Sequence, residues 1–126
     1  DVIATDHAPH SAEEKAKGLA ASAMGVVGLE TAFGVLNTKL VKTGVITLEK
    51  LIDMMSVKPR EIFGIDGGKI EVGSPADLAL LDIDKEWTVN PDKFVTMGRA
   101  TPFKGWKLQG ENLLTIYKGE IVYEAI

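Results

Sequence analysis

The stretch Asp1-Val2-Ile3-Ala4-Thr5 runs directly into Asp6-His7-Ala8-Pro9-His10, and it constrains the fold more than any other part of the chain. Val2, Ile3 and Ala4 form an apolar run without alternation. That is the pattern of a strand buried on both faces, and such strands belong to parallel sheets covered by helices. Nothing nearby supplies a parallel partner, because the chain reads helical up to about residue 65. A self-contained domain rarely begins this way, and the first residue is Asp1 rather than Met. The expectation is therefore the C-terminal piece of something larger.

At 126 residues the chain has the size of one ordinary domain, with 45% apolar and 25% charged residues, as in soluble globular proteins. The net charge of −4 and the absence of a Lys/Arg cluster argue against nucleic acid and a polybasic membrane contact. A small anionic ligand stays open, since a site is charged locally. With no cysteine, disulfides, thiolate metal sites and cysteine nucleophiles are excluded, and a reducing cytoplasm fits. No apolar run reaches the roughly 18 residues of a membrane span, and no signal-peptide pattern opens the chain.

Ser11-Ala12-Glu13-Glu14 has the spacing of a capping box, so a short helix is expected after His10. Gly18 to Gly28 reads as a loop. A helix is expected from Leu29 to Lys42, with Leu29, Phe33, Leu36 and Leu40 on one stripe and Gly44 as its stop. Thr47 caps a second helix, with Leu48, Leu51, Ile52 and Met55 as its apolar face. Ser56 followed by Pro59 predicts a third through Phe63, closed by Gly64. From Gly68 the period turns strand-like: 69–72, 78–81, 86–89, 113–117 and 121–124, the last across a Lys118-Gly119 hairpin turn.

Asp6 stands where a parallel strand ends, the active face of α/β barrels, yet an Asp opening a turn is an equal alternative. His7 and His10 add imidazole nitrogens, but Asp-His-x-x-His lacks the further donors that a catalytic zinc site needs. Gly25 and Gly28 permit either a tight turn or a close approach of backbone to a ligand. Lys50, Asp53, Lys58, Arg60 and Glu61 read as a solvated face. Trp87, Phe94, Phe103 and Trp106 read as core, Asp77 and Asp82 as turn residues. Ser11 has no base that would mark it as a nucleophile.

Ile3-Ala4-Thr5-Asp6-His7-Ala8-Pro9-His10 resembles the eighth-strand motif of bacterial dihydroorotases, members of the amidohydrolase superfamily. The resemblance continues through Gly25 to Ala32, Lys58 to Gly64, Gly68 to Gly73 with Ala76-Asp77-Leu78, and Thr101 to Trp106 with Gly110. It implies an α/β fold: the last strand and following helices of a (β/α)₈ TIM-type barrel over residues 1–65. Residues 66–126 would be the C-terminal strands of a composite β-sandwich. The remaining family ligands, among them a His-x-His pair and a bridging carboxylate or carboxylated lysine, have no counterpart in the chain.

The implied activity is zinc-dependent, reversible hydrolysis of (S)-dihydroorotate to N-carbamoyl-L-aspartate in pyrimidine biosynthesis, with two Zn²⁺ per complete site and this chain alone inactive. By resemblance, Asp6 is a metal ligand and the catalytic proton carrier. His10 contacts the substrate carboxylate, and Met24 and Gly25 contact the ring. His7 belongs to the motif without a firm role and is expected to hold the loop. The family commonly has proline where this chain has Ala23, which predicts a more mobile ring-contact loop. A cytoplasmic homodimer is implied, possible partners extending to aspartate transcarbamoylase. Two alternatives stand beside this reading: a non-catalytic scaffold for aspartate transcarbamoylase, and another cyclic amidase (allantoinase or hydantoinase).

Overall fold

The computed structural model of the chain describes residues 1–125. The first element is nucleated by a polar device. Ser11 Oγ accepts the Glu14 N–H at 3.1 Å, the Glu14 carboxylate accepts the Ser11 N–H at 2.9 Å, and the single turn α1 (Ala12–Lys15) follows. After a loop, α2 (Leu29–Leu36) continues into a π-helical segment, Asn37–Val41. Then α3 (Leu48–Ile52), a second π-helical segment (Asp53–Val57) and α4 (Lys58–Phe63) succeed one another without a break. Thr47 Oγ1 caps this run by accepting the Lys50 N–H at 3.1 Å, and Gly64 closes it in the left-handed conformation.

The break expected at Ser56 is absent, and Pro59 explains what replaces it. In a π-helical segment a carbonyl accepts from five residues on, as Asp53 O does from the Lys58 N–H. Met54 O would be next, but Pro59 has no N–H to give. The freed carbonyl accepts the N–H of Ile3 at 3.1 Å instead. The strand expected over residues 1–5 is accordingly not formed. Parallel pairing is reduced to one bridge, between His7 and Val26. A strand needs a neighbour along its edge. Residues 1–5 have none among the described residues and lean on helix backbone.

Three antiparallel strands make one sheet in the order β1 (Leu78–Thr88), β2 (Lys107–Tyr117), β3 (Glu120–Glu124). The separate strands expected at 78–81 and 86–89 are one strand with a bulge. The register with β2 breaks between Asp82 and Glu86, where Asp82 Oδ1 gathers the N–H groups of Asp84 and Lys85 at 3.0 and 2.9 Å. Residues 69–72 form no strand, and Ile70 and Val72 stand in solvent with no sheet edge beside them. The hairpin forms as expected: Lys118 and Gly119 both have positive φ, and Asp77 Oδ1 accepts the Lys118 N–H at 2.7 Å.

The core is small: Val27, Val89, Phe94 and Leu108, with Val35, Trp87 and Phe103 against it. Trp106, expected in the core, stays at its rim. It meets Phe103 edge-on at 5.2 Å and lies under the Lys39 ammonium. The helix stripe is also different from the one expected. Leu29 is 61% exposed, whereas Thr31, Gly34 and Asn37 are buried against the sheet. A Cβ at Gly34 would lie 3.0 Å from the Trp87 ring and 3.1 Å from Gly110 O, so the helix sits on the strand at backbone distance.

The side chain of Asn37, 0% exposed, enters the bulge of β1. Its Nδ2 donates to Ile83 O at 2.9 Å and to Gln109 O at 2.8 Å. Next to it, Thr38 Oγ1 accepts the Gln109 N–H at 2.7 Å. Asn37→Ala takes the Nδ2 donor from Ile83 O and from Gln109 O, the latter still 3.3 Å from Thr38 Oγ1. A stability loss of roughly 1–3 kcal/mol is expected in denaturant unfolding. A loss below about 1 kcal/mol would show that the helix does not depend on this joint.

Candidate active site between two loops

Loops 6–10 and 24–28 meet at the N-terminus of α2. Asp6 sits at φ 47, a left-handed conformation that Asp tolerates better than most residues. Conformations of this kind cost about 1–3 kcal/mol and collect at functional sites. Its side chain is exposed and makes no hydrogen bond among the described residues. His7 turns inward. Its Nδ1 accepts the N–H groups of Gly28 and Leu29 at 3.1 and 3.3 Å, capping a helix whose own N-cap residue is glycine. An accepting Nδ1 places the proton of the neutral ring on Nε2.

His10 Nε2 donates to Met24 O at 2.8 Å, and its Nδ1 lies 3.8 Å from the Glu14 carboxylate. Gly25, at φ 129, admits no side chain: a Cβ there would stand 2.5 Å from Ala8 Cβ and 2.8 Å from Ala8 O. Ala8 N–H also donates to Val26 O at 2.9 Å. The structure thus brings His10, Met24 and Gly25 together and leaves Asp6 free at the other end of the same loop.

The loop with Ala23 in place of proline is held by polar bonds. Lys15 Nζ donates to Ala23 O at 2.9 Å and to Gly25 O at 3.0 Å, and Ser22 Oγ donates to Lys15 O at 2.8 Å. A third loop backs the pair. Val27 N–H donates to Ala100 O at 2.9 Å, and Gly98 packs on Pro9 and Val27. Glu30 pins this backing loop, its carboxylate accepting the N–H groups of Val95 and Thr96 at 2.9 and 3.0 Å. Partial burial pushes the Glu30 carboxyl up. The hydrogen bonds from Thr96 and Val95 and the charge of Arg99 outweigh that and hold it below its ordinary 4.5. The stabilisation is therefore present above that value and is lost as acid protonates the carboxylate.

Lys15 and Glu30 escape a reading by residue type. For Glu30 the only signal is an acid in the first turn of a helix. Lys15 gives none. Among the described residues no group of three His, Asp or Glu side chains is arranged to hold a metal ion. A zinc site takes three or four protein donors. Asp6, with both oxygens uncommitted, suits the part of one carboxylate ligand. A groove of about 730 Å³ between α2 and the sheet, lined by Phe33, Trp87, Phe94 and Tyr123, reaches Glu30, Val95 and Thr96 of the backing contact but none of Asp6, His7, His10, Met24 and Gly25.

Residues 1–122 match the Amidohydrolase family. The chain belongs to that family. It is 50% identical to the dihydroorotase of Bacillus caldolyticus over 124 residues, 98% of this chain and 29% of that protein. It is likewise 50% identical to the dihydroorotase of Brevibacillus brevis over 126 residues, 100% of this chain and 30% of that protein. The chain therefore spans a little under a third of the length of these amidohydrolases. In fold it is similar to the dihydropyrimidinase of Brevibacillus agri, with a TM-score of 0.89 and 26% identity over 98% of this chain and 28% of that one. A second likeness is to the L-hydantoinase of Arthrobacter aurescens, with a TM-score of 0.76 and 36% identity over 82% of this chain and 23% of that one. No helix among the described residues is long and apolar enough to cross a membrane.

The backbone at Gly25 leaves no room for a side chain against Ala8, and this close approach sets a test. Gly25→Ala must open it, because Ala8 Cβ and O are fixed and a φ of 129 is closed to side chains. In the full-length protein the variant is expected to fold and to show faster amide exchange across 8 and 24–26. Unchanged exchange would mean that the loops are held apart from this contact.

Proposed function

We propose that the chain is the C-terminal part of a dihydroorotase, which interconverts (S)-dihydroorotate and N-carbamoyl-L-aspartate in pyrimidine biosynthesis in the cytoplasm. The observation that carries this reading is 50% identity to curated dihydroorotases over essentially the whole chain. In it, residues 1–65 complete a TIM-type barrel and residues 66–126 a composite β-sandwich. Homodimerisation and association with aspartate transcarbamoylase belong to the same reading.

When bound, zinc, two ions per complete site, supplies Lewis acidity toward the ring carbonyl and toward water. Asp6 offers one carboxylate oxygen as a ligand and the other as a base. It takes the proton of the attacking water and hands it to the leaving ring nitrogen. The uncommitted Asp6 carboxylate, on a backbone held in the left-handed conformation, supports this role. His10 is assigned to the substrate carboxylate, and the backbone of Met24 and Gly25 to the ring. Because His10 Nε2 is bonded to Met24 O, engaging a carboxylate through that nitrogen means sharing or leaving that carbonyl.

A second reading, a hydantoinase or dihydropyrimidinase, is favoured by the fold likeness to those enzymes. Turnover of dihydroorotate, hydantoin and dihydrouracil by the full-length protein separates the two. Hydantoin as the better substrate would overturn the dihydroorotase reading.

The 126-residue chain alone is expected to show no turnover of dihydroorotate or carbamoyl aspartate, since Asp6 is a single ligand. Activity of the purified chain, with full-length enzyme excluded, would refute this. In the full-length enzyme, Asp6→Asn is expected to lower kcat by roughly 10² to 10⁴ even with zinc in excess. A near-normal kcat would make Asp6 a turn residue. His10→Ala is expected to weaken kcat/KM for both substrates by about one to two decades with zinc content unchanged. Loss of zinc would make His10 a ligand instead.

A further inference from the structure

Three successive carbonyls of one loop are held by two side chains, Lys15 and His10. Lys15 Nζ donates to Ala23 O and Gly25 O at 2.9 and 3.0 Å, and His10 Nε2 donates to Met24 O between them at 2.8 Å. The peptide bonds are all trans. In a trans peptide the oxygen and the N–H of one unit point in opposite directions. Fixing Ala23 O on Lys15 therefore aims the Met24 N–H away from the ammonium, and fixing Met24 O on His10 aims the Gly25 N–H away from the imidazole. Neither N–H makes a hydrogen bond among the described residues. Lys15 itself is half-buried and has no carboxylate partner among the described residues, so its charge is spent on these carbonyls.

We propose that Lys15 is a positioning residue for substrate binding: by holding Ala23 O its ammonium sets the orientation of the Met24 amide and presents the Met24 N–H as a donor to a substrate oxygen, the Gly25 N–H being set by the His10 bond to Met24 O. The inference rests on the proposed dihydroorotase site for the identity of that oxygen, a ring carbonyl or carboxylate of an anionic cyclic amide. Lys15 takes over what a proline at position 23 would do by fixing φ. A proline only stiffens the turn. A cation on the amide oxygens also polarises the peptide units and strengthens the N–H groups as donors. The positive charge behind the loop further favours an anionic ligand in front of it.

The test uses the full-length enzyme. Lys15→Met keeps the alkyl stem and removes the donors; Lys15→Arg keeps both charge and donors. Lys15→Met is expected to raise KM for dihydroorotate and for carbamoyl aspartate roughly ten- to hundredfold, with a much smaller change in kcat and with zinc content unchanged. Lys15→Arg is expected to recover most of the lost affinity. Should the methionine variant not fold, Lys15→Gln, with one short neutral donor, replaces it under the same expectation. A wild-type KM in the Met or Gln variant overturns the proposal, as does an equal loss of kcat and zinc in all the variants. If the unsubstituted enzyme does not turn over dihydroorotate, the dihydroorotase reading fails by itself. The Lys15 comparison is then read with whichever cyclic amide the enzyme does hydrolyse.

Discussion

The joint at Asn37 is the interaction on which the rest of the structure depends. A bulge in β1 frees carbonyl groups from the β1–β2 ladder, and one buried carboxamide satisfies one from each strand. The register is fixed by the two bonds of Nδ2, the Asn37 Oδ1 being left buried without a partner among the described residues, because a buried amide N–H that lost its acceptors would be costly. That register puts Gly34 under Trp87 and Gly110, and it places the N-terminus of α2 beneath the two site loops. A purely apolar contact would have allowed the helix to slide by a turn at little cost. The polar contact does not.

From that fixed helix the site loops are tied one to the next by backbone groups. His7 caps the helix, Ala8 bonds Val26, Val27 bonds Ala100, and Glu30 holds the segment behind them. Each bond uses a peptide N–H or carbonyl, whose position follows the main chain, with side chains serving mostly as clips. Among the described residues the Asp6 carboxylate is left without a clip. A catalytic or ligating group needs its oxygens uncommitted to the protein, and the surrounding order is what lets it stay so while held at a defined place.

Much of this was legible in the sequence where a local rule decides. The capping box at Ser11, the cap at Thr47, the left-handed stop at Gly64 and the Lys118-Gly119 turn all depend on residues within a few positions of each other. What resisted reading depends on partners far along the chain. The buried stripe of α2 is Thr31, Gly34 and Asn37, because close approach to a strand requires small side chains and a satisfied amide, and hydrophobic periodicity points to Leu29 and Phe33 instead. Residues 69–72 have the alternation of a strand and pair with none among the described residues. The loop at Ala23 was expected to be mobile because the family resemblance puts a proline there, and the lysine that holds it gives no sign in the sequence of where its ammonium will go. For the candidate site, the motif brought Asp6, His10, Met24 and Gly25 into view together. The backing by Glu30 and the 94–106 loop came only with the fold.

The π-helical segment at Asp53–Val57 has a consequence for how the chain can change length. Such a segment is an α-helix carrying one extra residue. Removing one residue there would restore the ordinary α-helical turn. With Met55, Ser56 or Val57 lost, Pro59 would become the fourth residue on from Met54, so Met54 O would still lack a helical donor, while the shortened turn would shift it relative to the Ile3 N–H. The surplus residue therefore sets the join between the helical run and the segment leading to Asp6. Single-residue deletions, usually harmless in loops, should be selected against here, although the segment lies far from Asp6 in sequence and holds none of the candidate site residues.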